Sequence, residues 1–161
     1  MGPKGLIEEF GKGLSGEMVE VSRDGDDLVL VIRPEALLRI MGSLKEHPYS
    51  YKLLLDLTCV DFRRDAGSFE MVYHLYSLDA GRRVRVKVRL PADAPLIDSL
   101  AGLWRNANWL EREVYDMFGV VFRGHPDLKR ILMYDGFEGF PLRKDYPLRR
   151  RQPKADKGNA T

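Results

Sequence analysis

From Arg82 to Leu90 the chain alternates without a break, with Val84, Val86, Val88 and Leu90 on one parity and Arg83, Arg85, Lys87 and Arg89 on the other. Side chains of a strand point to opposite faces in turn, so this run buries one face and leaves the other solvated or paired across strands. No other stretch constrains the fold as tightly. Phe69 to Leu78 is aromatic-rich and strand-like, and Asp79-Ala80-Gly81 joins the two runs as a hairpin turn. Met18 to Ser22 and Asp27 to Ile32 form a second hairpin around Arg-Asp-Gly-Asp. Tyr51 to Val60, nearly continuous in apolar residues, reads as a central strand covered on both faces.

Helices fall between these strands. Gly5 to Gly16 reads as a short leading helix, and Pro34 opens another, with Leu37, Leu38, Ile40, Met41 and Leu44 on one side and an end before Pro48. Asp93 caps a helix predicted over 95–104. Asn108 caps a further one, with Glu111 completing a capping box and Gly119 at the C-terminal stop. The predicted fold is α/β in the α+β sense: a mixed or antiparallel sheet with helices packed on it over residues 1–119. An extended segment over 120–148 and a basic tail over 149–161 follow.

From Val120 onward the periodicity fails and turn formers alternate with apolar anchors such as Leu128, Ile131, Leu132, Phe137, Phe140 and Leu142. Disordered chains lack such anchors, so this segment is predicted to lie on a surface, which another chain can supply. Charge divides in the same place. Residues 1–122 hold 16 Lys/Arg against 19 Asp/Glu, and residues 123–161 hold 10 against 5. Where Pro141, Leu142, Tyr146, Pro147 and Leu148 interleave with the charges, residues 141–148 are therefore suited to docking on an acidic partner, while residues 149–161 read equally well as a solvated tail.

Several functions are disfavoured. One cysteine, Cys59, supplies neither a disulfide nor the roughly four ligands of an iron-sulfur cluster. No run approaches the roughly eighteen apolar residues of a membrane span, and the acidic N-terminal stretch does not resemble a secretory signal. Neither a GxxxxGK nor a GxGxxG pattern is present. The basic strand with Phe69, Tyr73 and Tyr76 offers a nucleic-acid platform, but the body's net acidity favours a paired or solvated face.

The densest chemistry-capable cluster is Glu111, Arg112, Glu113 and Asp116, followed by His125, Pro126 and Asp127. Glu113, Asp116, His125 and Asp127 would be the ligands or acid/base groups of a free-standing metalloenzyme. At about 100° per residue, Leu110, Val114, Met117 and Phe118 form one apolar stripe, the glutamates flank it, and Arg112, Tyr115 and Asp116 face away. The preferred reading is an exposed Arg112–Asp116 ion pair worth about 0.3–0.5 kcal/mol. For His125-Pro126-Asp127, a turn closed by an Asp127 side-chain bond is preferred over catalysis. His47 and His74 read as ordinary loop and strand residues.

Three motifs in order carry a resemblance: Trp-Leu-Glu-Arg-Glu-Val-Tyr-Asp-Met-Phe-Gly at 109–119, Gly-His-Pro-Asp-Leu-Lys-Arg-Ile-Leu-Met at 124–133, and Gly-Phe-Pro-Leu-Arg-Lys-Asp-Tyr-Pro-Leu at 139–148. Together they resemble the thirty-kilodalton, or C-subunit, family of NADH:quinone oxidoreductase (respiratory complex I). Asp135-Gly136-Phe137 departs from the tryptophan that many members carry there. The resemblance implies a non-catalytic peripheral-arm subunit on the cytoplasmic side of the inner membrane. It would carry no cofactor, with NADH, FMN, iron-sulfur clusters and quinone bound in other subunits. Its partners would be the large hydrogenase-like D subunit and the B and I subunits. The docking residues implied are Glu111, Arg112, Glu113, Asp116, Gly119, His125, Pro126 and Asp127, then Pro141, Leu142, Arg143, Lys144, Asp145, Tyr146 and Pro147. Related complexes fed by F420, ferredoxin or hydrogen chemistry share the motif.

Overall fold

The computed structural model describes residues 18–149 and 151–152. The predicted leading helix and the last residues lie outside them. Strands β1 (Met18–Asp24) and β2 (Asp27–Ile32) form the first hairpin, and β4 (Ser68–Ser77) and β5 (Arg82–Pro91) the second. With β3 (Leu53–Asp61) they make a five-stranded sheet in the order β1-β2-β5-β4-β3. Only β2 and β5 run parallel, so the sheet is mixed.

Val84, Val86, Val88 and Leu90 are buried, as their parity predicts, beside Leu30 and Ile32 of β2 and Phe69, Met71, Tyr73 and Leu75 of β4. On the other face Arg83 pairs with Asp27 at 3.1 Å, Arg85 with Asp24 at 2.7 Å and Lys87 with Glu70 at 2.9 Å. The basic face is thus tied across strands. A 3₁₀ turn, Pro34–Ala36, leads into α1 (Leu37–Lys45), which buries Leu37, Ile40, Met41 and Leu44 in the same core. A single helical turn, α2 (Arg63–Ala66), links β3 to β4, and α3 (Ala107–Phe118) packs against β3.

Three sequence expectations are corrected. Residues 95–104 are not a helix: Leu96–Asp98 is a strand, β6, paired in parallel with β7 (Val121–Arg123). Its partner lies 25 residues further on, so local periodicity carries no trace of the pairing. Second, β3 is an edge strand rather than a central one, with Leu53, Leu55 and Val60 exposed. Part of its free edge is satisfied by side chains: the Trp104 indole N–H donates to the Lys52 carbonyl at 3.0 Å and the Asn106 amide to the Leu54 carbonyl at 2.8 Å. Third, α3 starts one residue before Asn108, at Ala107, and Asn106 holds the cap position without a capping bond. The Glu111 carboxylate is engaged elsewhere.

Candidate functional site

The motif helix α3 is where the chemistry-capable charges gather, and the structure turns Glu111, Arg112 and Asp116 inward. Asp116 has no exposed surface. Its Oδ1 accepts from Arg130 Nη1 at 2.6 Å, and its Oδ2 accepts from the N–H groups of Ile131, Leu132 and Met133 at 3.0, 2.8 and 2.8 Å. Burial alone would raise its pKa. The Met133 N–H, the Arg130 guanidinium and the Leu132 and Ile131 N–H groups outweigh burial and hold it below the usual carboxylate range. The carboxylate acts as an anchor for three consecutive amides of the C-terminal segment.

Arg112 is nearly as buried and does not pair with Asp116. It donates through Nε to the Lys129 carbonyl at 3.1 Å and through Nη2 to the Arg130 carbonyl at 3.0 Å, and its guanidinium lies 5.2 Å from the centre of the Trp109 ring. The expected exposed Arg112–Asp116 ion pair is therefore absent. Residues 129–133 cover the helix face that would otherwise be wet, so charges that the periodicity of α3 places outward are enclosed by chain from further along the sequence. Arg130 also donates to the Gly139 carbonyl at 3.0 Å, and its guanidinium lies 5.6 Å from the centre of the Phe137 ring and 5.4 Å from that of Phe140.

Glu111 is fully buried on the opposite flank. The Ser99 hydroxyl and the Leu100 N–H each donate to it at 2.6 Å, tying α3 to the end of β6. Burial pushes its pKa up, the two bonds offset this in part, and the result is about 7. His125 sits 3.9 Å away through Nε2. Its Nδ1 accepts the Asp127 N–H at 3.0 Å, so the ring hydrogen is on Nε2, which donates to the Asn108 carbonyl at 3.1 Å. The turn is closed by the imidazole rather than by the Asp127 side chain, which pairs with Lys129 at the surface. Glu113 is exposed and apart from both buried acids. No group of three or more potential metal ligands forms among the described residues.

Gly119 ends α3 with φ +74°, donating its N–H to the Tyr115 carbonyl at 2.8 Å. A Cβ there would also lie 2.6 Å from Phe140 and from the Arg143 guanidinium. Glycine is required twice over, for the left-handed backbone and for the close approach of the tail.

The third motif is fastened to the sheet domain. Leu142 donates its N–H to the Met117 carbonyl at 3.2 Å, Arg143 donates through Nε to the Phe118 carbonyl, and the Lys144 N–H reaches Asp61 Oδ2 at 2.8 Å. Arg63 bridges Asp61 and Asp145, each at 2.7 Å, and Arg64 donates to the Lys144 carbonyl at 2.8 Å. Phe137 and Tyr146 stack at 6.1 Å. Asp61, Arg63, Arg64 and Ser99 escaped the sequence reading, and Arg130 entered it inside the second motif without a role of its own. Of the four outside the motifs, Asp61, Arg63 and Arg64 had a signal in Asp61-Phe62-Arg63-Arg64, a dense charge run next to a strand end.

Facing away from these fastenings, Trp109 is 59% exposed and Leu142 56%, with Leu132 and Leu148 also open. Fold and site thus define an α+β domain whose motif charges clasp its own C-terminal segment and leave several large apolar side chains exposed. The family model described as "Respiratory-chain NADH dehydrogenase, 30 Kd subunit" matches residues 30–152, and the chain belongs to that family. It is 52% identical over 122 residues to the C 2 subunit of NADH-quinone oxidoreductase from Rhizobium etli (strain CIAT 652), covering 75% of this chain and 65% of that protein, just under two thirds of its length. It is 42% identical over 150 residues to the C/D subunit of NADH-quinone oxidoreductase from Gluconacetobacter diazotrophicus, covering 88% of this chain and 25% of that one. Among solved structures it is similar to the trypsin-resistant fragment (1-134) of Nqo5, with TM-score 0.67 and 32% identity over 78% of this chain and 98% of that one.

Proposed function

We propose that this chain is a non-catalytic scaffold subunit in the peripheral arm of a proton-translocating NADH:quinone oxidoreductase. It would sit on the cytoplasmic side of the inner membrane and dock on the large D subunit, with the B and I subunits as neighbours. The flavin, the iron-sulfur clusters and the quinone site would belong to those other subunits. The observation that carries this reading is the clasp between α3 and residues 129–146. Glu111, Arg112 and Asp116, the groups best suited to chemistry, are each engaged by backbone or side chains of the same chain. What is left for a partner is an apolar surface on a prefolded segment, which suits association better than turnover.

Family membership supports the complex, and the C/D relative supports D as a neighbour, since one polypeptide there bears both names. In the described residues no helix is long and apolar enough to cross a membrane, so attachment would run through partners. Buried Cys59, whose thiol is pushed up to about 12 by burial and by Asp61, is a poor metal ligand or nucleophile.

The test is co-purification from the organism that carries the chain, with wild type compared against a Leu142→Asp/Leu148→Asp variant. Both leucines are more than half exposed, so the variant should fold like wild type. Wild type should bring down the large subunit and the cluster-bearing subunits, and the variant should not. A chain recovered alone in mild detergent, or one with stoichiometric metal and activity of its own, would refute the reading.

A further inference from the structure

We infer that a cavity at one end of the sheet, floored by Tyr51 and Leu28 and rimmed by Arg23 and Arg83, binds a small oxyanion, a carboxylate or a phosphate. It lies apart from the clasp and does not depend on the docking reading. Topology builds it. Strands β2 and β5 run parallel, with Leu28 in register with Val84, and β3, antiparallel to β4, runs the same way as both. All three strands therefore begin at one end of the sheet. There the β1–β2 turn, the β4–β5 turn and the approach to β3 converge around a space of about 310 Å³.

The floor carries an unmatched polar group. Tyr51 is 2% exposed, and its hydroxyl forms no hydrogen bond among the described residues. Buried hydroxyls nearly always have a partner, and the open space beside this one is the cavity. A phenol donates one hydrogen bond, so an acceptor on the ligand answers it. Leu28, also buried, supplies an apolar patch beside the hydroxyl for whatever carries the acceptor.

The field at the phenol favours an anionic acceptor. Burial raises the Tyr51 pKa and the Arg82 guanidinium lowers it, while no carboxylate is among the causes, although Asp26 stands on the rim. Arg82 has a partner of its own and contributes charge rather than a donor. The donors are its neighbours. Arg23 is exposed and forms no hydrogen bond or ion pair among the described residues. Arg83 bonds Asp27 through Nε at 3.1 Å, which leaves both Nη groups. One hydroxyl and two guanidinium groups around a single space match an oxyanion, whose several lone pairs can accept from each of them.

The experiment uses the full chain with its tyrosines isotopically labelled at the ring carbon that bears the hydroxyl, read by NMR. Inorganic phosphate and, separately, acetate are titrated in, with sodium chloride at equal ionic strength as the control. The Tyr51 signal, assigned by its loss in Tyr51→Phe, should move along a saturating curve with at least one oxyanion and stay in place with chloride. Arg23→Ala, at an exposed residue outside the packed core, should keep the fold and weaken that binding at least about tenfold. A carboxylate of a neighbouring subunit would offer the same chemistry, so the purified complex is also treated with phenylglyoxal and modification of Arg23 read by mass spectrometry. Protection that needs added phosphate or acetate assigns the site to a free anion, and protection without either assigns it to a neighbour's carboxylate. Both uphold the oxyanion site. A Tyr51 signal that drifts equally with chloride, a response that never saturates, affinity untouched by Arg23→Ala, or an Arg23 that no condition protects would each overturn it.

Discussion

Asp116 and Arg130 form a 2.6 Å ion pair in which the acid has no exposed surface, joining the motif helix to the segment 14 residues downstream. The same carboxylate holds three consecutive backbone amides. Removing it takes the carboxylate from a half-buried guanidinium and the acceptor from three N–H groups together. Asp116→Ala should therefore cost about 3–5 kcal/mol, measured by urea unfolding, and release residues 129–149 to protease. A change under about 1 kcal/mol with an unaltered proteolysis pattern would show that the clasp contributes little.

Gly119→Ala forces a Cβ into the left-handed backbone and to 2.6 Å from Phe140 and Arg143. We expect a loss of about 2–4 kcal/mol, visible as a lowered thermal midpoint. Gly81 also has positive φ, but a Cβ there would meet nothing within 4 Å, so it is the control. Gly81→Ala should cost only about 1 kcal/mol.

Glu111 gives stability a pH dependence whose sign can be worked out. Its ordinary value is 4.5 and its folded value about 7. Between these the folded chain keeps a proton that the unfolded chain has released, so stability falls as pH rises through that window and levels off above it. The fall should be on the order of 2–3 kcal/mol. Asp61 acts in the opposite sense, and only at lower pH. Burial works against it, but Arg63 and the N–H groups of Lys144 and Arg63 prevail and bring it from 3.8 to about 2. Its stabilisation is present above the ordinary value and lost as pH falls toward 2. Glu111→Gln should flatten the slope between pH 4.5 and 7 in chemical unfolding, and an unchanged slope would assign it to other groups.

Trp109, more than half exposed beneath the Arg112 guanidinium, is the side chain on α3 best placed to anchor a partner. Trp109→Ala should alter the unfolding free energy by no more than about 1 kcal/mol while reducing recovery of partner subunits at least about thirtyfold, as expected for a hot spot of about 2 kcal/mol or more. Equal recovery would move the anchor to the tail.

Much of this was legible in the sequence. The alternation in β5, the two hairpins, the α1 stripe apart from exposed Leu38, and the glycine stop at 119 follow from rules that act within a few residues, and the three motifs identified the family. What the sequence could not supply was the direction of the charges on α3. Helical periodicity states which residues share a face, and a polar face reads as outward unless something covers it. Here residues 129–133 cover it, and a buried carboxylate is tolerated only because Arg130 and three amides arrive to meet it. The same holds for Glu111 against Ser99, for Asp145 against Arg63 across 82 positions, and for β6 beside β7. Local sequence determined which elements form and where they stop. Whether each polar group meets solvent or a partner was decided by contacts between distant segments, and these exist only once the chain has folded.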